Sequence, residues 1–448
     1  STTTAAVTPG TITANGDPTA GAQTIALSGS LNATITWPGR VKWNNGTTPT
    51  LQSRVGGFQL FRFTTVDTGL NYNAWEELKS SAGYDLFAAG TGGGKGMHGN
   101  NTAGNVSSPV QVFGGATWQY VSSNSSHNAM AIKTDGSLWT WGNPTEGESG
   151  LNSRTKYSSP VQVGTDTTWS TINRGYRWWY AVKTDGTLWS WGYKSGYTQN
   201  DQTARSSPTQ VGTDTNWSMA IGGQNRSALA TKTNGTLWAM GNVETGALGL
   251  NNQTVAPSSP IQVGTDTSWA TGENKISQSW RSSYAIKTNG TLWSWGRNSS
   301  GELGLNSRIP NSDNGLSSPT QVGTDTTWST IRATSGGALA LKTDNTLWAW
   351  GGGSNGKLGQ NDVISRSSPV QIPGTTWSDL GVYGVRGAGT VLKSDGTWWG
   401  WGAQTWGELG LNQSNTNPGP GTWSSPVQLP GTYVDFVSDT YNSFWVKA

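Results

Sequence analysis

Two histidines are the whole supply of imidazole in this chain of 448 residues. His98 and His127 stand 29 positions apart, without the close spacing that a metal site uses, and each reads as a structural or loop residue. Cysteine is absent, which removes thiolate ligands, cysteine nucleophiles and disulfides. No nucleophile elbow, phosphate-binding loop, His-Glu-x-x-His or calcium loop occurs. The carboxylates fall into patterns. Asp166, Asp214, Asp266 and Asp325 recur in Gly-Thr-Asp-Thr, where a side-chain oxygen caps a turn. Glu148, Glu302 and Glu408 fall in Gly-rich loops and read as solvated. No general acid/base pair emerges, so the sequence predicts no enzyme, no cofactor and no metal.

Positions that vary within otherwise repetitive segments are better candidates for recognition. Six residues before a recurrent Lys stand His127, Arg177, Arg226, Arg281, Gly336, Gly387 and Tyr441, flanked by Trp178, Trp179 and Trp280. Arg and Trp dominate binding hot spots, and aromatic faces also stack on sugars. The candidate partner-binding set is therefore His127, Arg177, Trp178, Trp179, Arg226, Trp280, Arg281 and Tyr441. The competing reading packs the Trp side chains between repeats and leaves the Arg side chains solvated.

The elements that would hold these residues come from an internal repeat. Ser-Ser-Pro-x-Gln begins at Ser107, Ser158, Ser206, Ser258, Ser317, Ser367 and Ser424. Lys-(Thr/Ser)-(Asp/Asn)-x-x-(Leu/Trp)-Trp-x-x-Gly starts at Lys133, Lys183, Lys232, Lys287, Lys342 and Lys393. Gly-x-x-Gly appears at Gly246, Gly301, Gly356 and Gly407. Asx-Gly pairs such as Asp185-Gly186 sit between alternating apolar runs and predict tight type I′ hairpins. Trp189 and Trp191, two apart, share one strand face. A further Trp opens each unit, at 118, 169, 217, 269, 328 and 377, and these repeated positions use 17 of the 27 Trp, as core.

The composition agrees: 63 Gly, 27 Trp and only 12% charged residues suit strands packed through indoles and joined by Gly-rich turns. A net charge of +3 gives no nucleic-acid footprint, and no apolar run is long enough to insert in a membrane.

Units of this kind, with Asp-Gly-x-Leu-Trp-x-Trp-Gly, then Gly-x-Leu-Gly, then Ser-Ser-Pro-x-Gln, resemble RCC1-like repeats over about four fifths of the chain. The resemblance implies an all-β fold, a seven-bladed propeller over residues 84–448. The repeat half ending at Lys447 and the half beginning at Tyr84 imply a seventh blade closed by strands from both ends. The sequence departs from the eukaryotic pattern by lacking the His before the inner strand, where Trp178, Ser227 or Ser282 stands. That departure disfavours a role as exchange factor for a small GTPase.

Residues 1–83 carry no repeat. Residues 1–21, rich in Thr, Ala, Gly and Pro, read as an extended arm or linker. Residues 22–83 alternate like four to six strands and predict a small β-sandwich-like anchoring module, with one helical turn at Ala74–Lys79. Their order of Val41-Lys-Trp43, Gly46-Thr-Thr-Pro49 and Val66-Asp67 resembles small β modules of tailed-bacteriophage virion appendages. The two resemblances together imply a non-enzymatic virion appendage, a tail or head fibre on an extracellular particle. Residues 1–83 would meet other virion proteins and the propeller a host-surface glycan or protein. The alternative is a secreted or cell-surface bacterial adhesin or protein-binding module.

Overall fold

The computed structural model divides into two compact units, Ser1–Tyr84 and Asp85–Ala448. It describes residues 84–447 apart from 91–94, 102–105, 114, 116, 125–127, 194–200, 202, 224–225, 243, 253–255, 310–314, 382–388, 404–421, 430, 432–434 and 439–441. Before residue 84 it describes the backbones of seven strands. Five form one sheet in the order Thr2–Val7, Gln23–Gly29, Phe58–Thr65, Tyr72–Lys79 and Val41–Trp43. Thr11–Thr13 and Thr34–Thr36 form a separate parallel pair. Two of these strands lie in the stretch expected as an extended arm. The helical turn expected at Ala74–Lys79 is instead a strand, paired antiparallel with Phe58–Thr65 along its whole length. Ladder pairing has overridden the helix-forming composition of Ala74-Trp-Glu-Glu-Leu-Lys.

In the second unit, strands Trp118–Asn124, Asn128–Lys133, Leu138–Gly142 and Tyr157–Gln162 form one blade in chain order, each antiparallel to the next. Five more four-stranded sheets follow in the same order, their second strands being Trp178–Lys183, Ser227–Lys232, Ser282–Ile286, Gly337–Lys342 and Gly389–Lys393. The propeller fold is thus all-β, but the blades built from one uninterrupted stretch number six where seven blades were expected. The remaining strands form a composite sheet in the order Asp435–Ser438, Asn442–Lys447, Asp85–Gly90 and Val106–Gln111. The expected type I′ turns are corrected too. Asp135 keeps a negative φ and only Gly136 is left-handed, at +78°, so the hairpin is a type I turn closed by a glycine bulge.

The three repeated strings meet at the joint between blades. The second Trp of each Trp-x-Trp sends its indole N–H into the preceding Gly-x-x-Gly loop. Trp141 donates to the Met97 carbonyl (2.9 Å), Trp191 to Glu148 (3.1 Å), Trp295 to Ala247 (2.9 Å), Trp350 to Glu302 (2.9 Å) and Trp401 to Lys357 (3.0 Å). The last Gly of the loop lies against the same indole: a Cβ on Gly304 would stand 2.9 Å from Trp350 Nε1. The first Gly faces the Ser-Ser-Pro strand of the next blade, where a Cβ on Gly301 would stand 2.6 Å from Ser367 Cα. One residue beyond the loop's following Leu, Asn306 donates its N–H to the Ser367 carbonyl at 2.7 Å, as Asn152 does to Ser206 and Asn361 to Ser424. Three strings that looked like separate turn signals are one interlocking contact.

The joint between the second and third blades departs from this rule. Met240 stands where the latch Trp would be, and it packs with Trp178, Tyr180 and Trp217. The composite sheet departs as well: Ala89 pairs with Ser443 as Trp141 pairs with Ala129, so Ala stands at its latch position.

At the turn end of each blade the repeat Lys lies over two indoles. Lys183 Nζ is 4.7 Å from the Trp169 ring centre and 3.8 Å from that of Trp189, and it meets the Asp166 carboxylate at 2.6 Å. Lys232–Asp214, Lys287–Asp266 and Lys342–Asp325 repeat the pair. The Asp of Gly-Thr-Asp-Thr therefore caps its turn, through Thr168 N at 2.9 Å, and also anchors the Lys. The Lys183 ammonium, aided by the Thr168 hydroxyl, holds Asp166 down to about 2, so this carboxylate is ionised throughout the neutral range.

Gly304 (φ +69°) and Gly323 (φ +61°) separate backbone strain from latch packing, since a Cβ on Gly323 meets nothing within 4 Å. Gly323→Ala is expected to cost about 1–2 kcal/mol for the left-handed backbone alone. Gly304→Ala is expected to cost about 1–3 kcal/mol more, through overpacking against Trp350. Chemical-denaturation midpoints of the two variants check this; equal losses would mean that the indole contact contributes nothing.

Candidate partner-binding rim

At the blade end opposite the turns, the loop entering each second strand is fixed by one backbone bond. Tyr193 N donates to the Arg177 carbonyl (2.8 Å), Asn242 N to Arg226 (2.9 Å), Arg297 N to Arg281 (2.8 Å) and Gly352 N to Gly336 (2.8 Å). Arg177, Arg226, Arg281 and Gly336 thus hold equivalent places on four successive blades.

Their guanidinium groups lie over aromatic rings. Arg177 lies 5.4 Å from the Tyr176 ring centre and Arg226 5.5 Å from that of Tyr193, the latter reaching across to the preceding blade. Trp280 carries Arg281 at 4.4 Å and Arg297 at 6.0 Å. Tyr176 is 39% exposed and Trp280 48%, so these pairs face solvent. At the Gly336 position Lys357 supplies the cation, bonding its ammonium to the Ser335 carbonyl.

Acids sit beneath and beside these cations. Glu148 and Glu302, expected to be solvated, are buried. They occupy the latch loop, and closing the joint covers their side chains. Glu302 accepts from Ser300 N (2.6 Å) and Ser299 Oγ (3.2 Å), with Arg297 Nε at 4.0 Å. Glu148 accepts from Glu146 N at 2.6 Å; burial pushes its carboxyl up, and the Glu146 N–H and Arg177 pull it back down. Glu244 lies 3.9 Å from Arg281.

The candidate set named from sequence divides accordingly. Arg177, Arg226, Arg281 and Trp280 belong to this rim. Trp178 and Trp179 do not, and their assignment to a binding face is corrected: both are fully buried. Successive residues on a strand point to opposite faces, so Trp179 packs with Met130 and Ile132 of the first blade and Trp178 with Trp217 of the third. Trp179 also donates to Asn128 Oδ1 at 3.2 Å. Trp178 fills the joint that lacks a latch Trp, against Gly175 and Gly222, whose missing side chains leave it room. His127, Tyr441, Gly387 and Glu408 lie outside the described residues. His98 is buried in the Gly96–Gly99 latch loop, a joint residue. Sequence reasoning missed Tyr193, Arg297 and Lys357. Tyr193 and Arg297 each follow the Gly that ends Trp-x-Trp-Gly, an offset visible in the repeat itself.

Residues 289–341 and 344–378 match the Regulator of chromosome condensation (RCC1) repeat, and residues 274–302 match a second description of it. The chain carries RCC1 repeats. It is 31% identical over 199 residues to the RCC1 domain-containing protein RUG3, mitochondrial, of Arabidopsis thaliana, covering 43% of each chain. It is 24% identical over 345 residues to the Ultraviolet-B receptor UVR8 of the same plant, covering 72% of each. Among solved structures, Prp20p from Saccharomyces cerevisiae, described with its binding to Gsp1p and histones, superposes with a TM-score of 0.68 at 17% identity, over 82% of this chain and 92% of that one. Human WBSCR16 gives 0.66 at 16% identity, over 81% and 98%. Likeness at this identity shows the shared RCC1-type propeller fold and nothing of the partners.

Trp178→Ala is expected to lower stability by about 3–5 kcal/mol, the cost of emptying a core site. Trp280→Ala, half exposed, is expected to change it by less than about 1 kcal/mol. Thermal unfolding of both variants checks the division; a Trp280→Ala loss as large as that of Trp178→Ala would place Trp280 in the core.

Proposed function

We propose that this chain is a non-catalytic binding module in which a rigid RCC1-type propeller presents the Arg177–Arg226–Arg281 rim to a protein partner. The observation that carries the reading is the shared carbonyl bond, which sets Arg177, Arg226 and Arg281 at equivalent backbone positions, each with its guanidinium over an aromatic ring. Buried Glu148 lies within electrostatic reach of Arg177, and Glu244 lies 3.9 Å from Arg281. A Trp280 ring flanked by two guanidinium groups is poorly placed to stack on a sugar, which favours a partner with carboxylates to accept from Arg.

In this reading the composite sheet takes the place of a seventh blade and closes the ring. Support comes from its contact with the first blade, where Trp141 meets Phe444 at 5.9 Å and bonds the Met97 carbonyl. Residues 1–83 would carry the propeller on a virion appendage, a role supported by the likeness of residues 22–83 to such modules. The partner would then lie on a host surface.

Adsorption to a panel of bacterial cell envelopes tests the proposal. Combined Arg177→Ala, Arg226→Ala and Arg281→Ala replacement is expected to weaken saturable adsorption roughly thirty-fold or more while leaving the melting temperature near the parent value, as for hot-spot truncation of about 2 kcal/mol. Protease treatment of the envelopes is expected to abolish binding. Unchanged adsorption by the triple variant rules out the rim, and adsorption that survives protease points to a glycan instead.

A further inference from the structure

The opening strands of successive blades contact one another around the centre of the ring. Between them lies a cavity of about 60 Å³, room for a cluster of a few waters or one small ligand. Its polar lining consists of Tyr120, Ser122, Asn173, Arg174, Ser277 and Arg332, drawn from four blades. This site lies apart from the rim and does not depend on it.

Two donors of the lining, on Asn173 and Arg332, have no acceptor. Asn173 is 9% exposed, and its buried Nδ2 has no hydrogen-bond partner; its Oδ1 is occupied by the Tyr120 hydroxyl at 3.4 Å. The buried Nε of Arg332 likewise has no partner. Ser277 Oγ accepts from Ala333 N at 2.8 Å, which leaves its own hydroxyl hydrogen to donate. Arg174 reaches across to the Ser123 carbonyl at 3.0 Å and brings a second guanidinium to the same wall.

The balancing acids border this lining, with the Glu273 carboxylate also accepting from the Tyr120 hydroxyl. Trp269 precedes Ile276 by seven residues, whereas Trp169 precedes Ile172 and Trp328 precedes Ile331 by three. The four extra residues include exposed Glu273 and buried Asn274, and Asn274 Nδ2 donates to Asp379 Oδ1 at 3.2 Å, across 105 positions of sequence. Loss of bulk water pushes the Glu273 and Asp379 carboxyl groups up, and Arg332 pulls both down. Arg332 thus lies within electrostatic reach of both carboxylates while its Nε has no hydrogen-bond partner.

We propose that this central cavity binds one small oxyanion, a carboxylate, sulfate or phosphate, received by Arg332 Nε and Asn173 Nδ2 between the two guanidinium groups. Unpartnered buried donors are costly, and an anionic acceptor satisfies two at once. Titration calorimetry with inorganic phosphate, sulfate and acetate at matched ionic strength tests this on the full chain. One saturable site is expected for the parent, with a melting temperature that rises with anion concentration. Arg332→Gln is expected to weaken binding tenfold or more, and Asn173→Ala several-fold. Because Arg332→Gln also frees Glu273 and Asp379 and could unfold the chain, crystals soaked in selenate supply a second reading. An anomalous peak between Arg174 and Arg332 supports the site. No saturable binding, equal affinity in folded Asn173→Ala, or a cavity holding only water overturns it.

Discussion

An indole N–H reaching into the backbone of the neighbouring blade is the contact on which the rest of this molecule depends. Each such bond contributes only about 1 kcal/mol net, but leaving a buried indole or carbonyl unmet costs about 1–3 kcal/mol. It is made at Trp141, Trp191, Trp295, Trp350 and Trp401, each time against a glycine-lined loop that also abuts the next Ser-Ser-Pro strand. Among the described residues no hydrogen-bonded ladder joins one blade sheet to the next, so these latches and the packing around them set the spacing of the ring.

The same loop links stability to recognition. Its first variable position is Glu148 in one joint and Glu302 in another, buried by the closing of the joint and close to the rim cations. The carbonyl of that residue holds the neighbouring Trp, and its carboxylate sets the electrostatics beneath the neighbouring Arg or Lys. The rim is therefore preorganised by the contact that assembles the ring, which suits a surface that must bind without first ordering itself.

Much of the fold was legible because its repeat is written in residues with strong local meaning: Trp two apart on a strand, Gly at left-handed positions, Asx before them. The order of strings gave the blades, and the split repeat at Tyr84 and Lys447 pointed to the pairing of Asp85–Gly90 with Asn442–Lys447. The rim arginines were legible by register. The side chains of Trp178 and Trp179 were not, because sequence marks them as departures from the repeat and does not say which side of the strand is solvent. Glu148 and Glu302 were misplaced because a charged residue in a Gly-rich loop looks solvated until another blade is packed onto it. The polar lining of the central cavity comes from four blades, which only the assembled ring brings together.

Among the described residues two latch positions lack a Trp, Met240 and Ala89, and their joints give the account its most direct test. Native-state amide hydrogen exchange, resolved by blade, should show opening first at strands bordering those joints. Strands flanking Trp295, Trp350 and Trp401 should exchange only through the most costly openings. If strands beside Met240 and Ala89 are protected as well as those beside the latched Trp residues, the indole-to-carbonyl contact does not govern how this ring is held together.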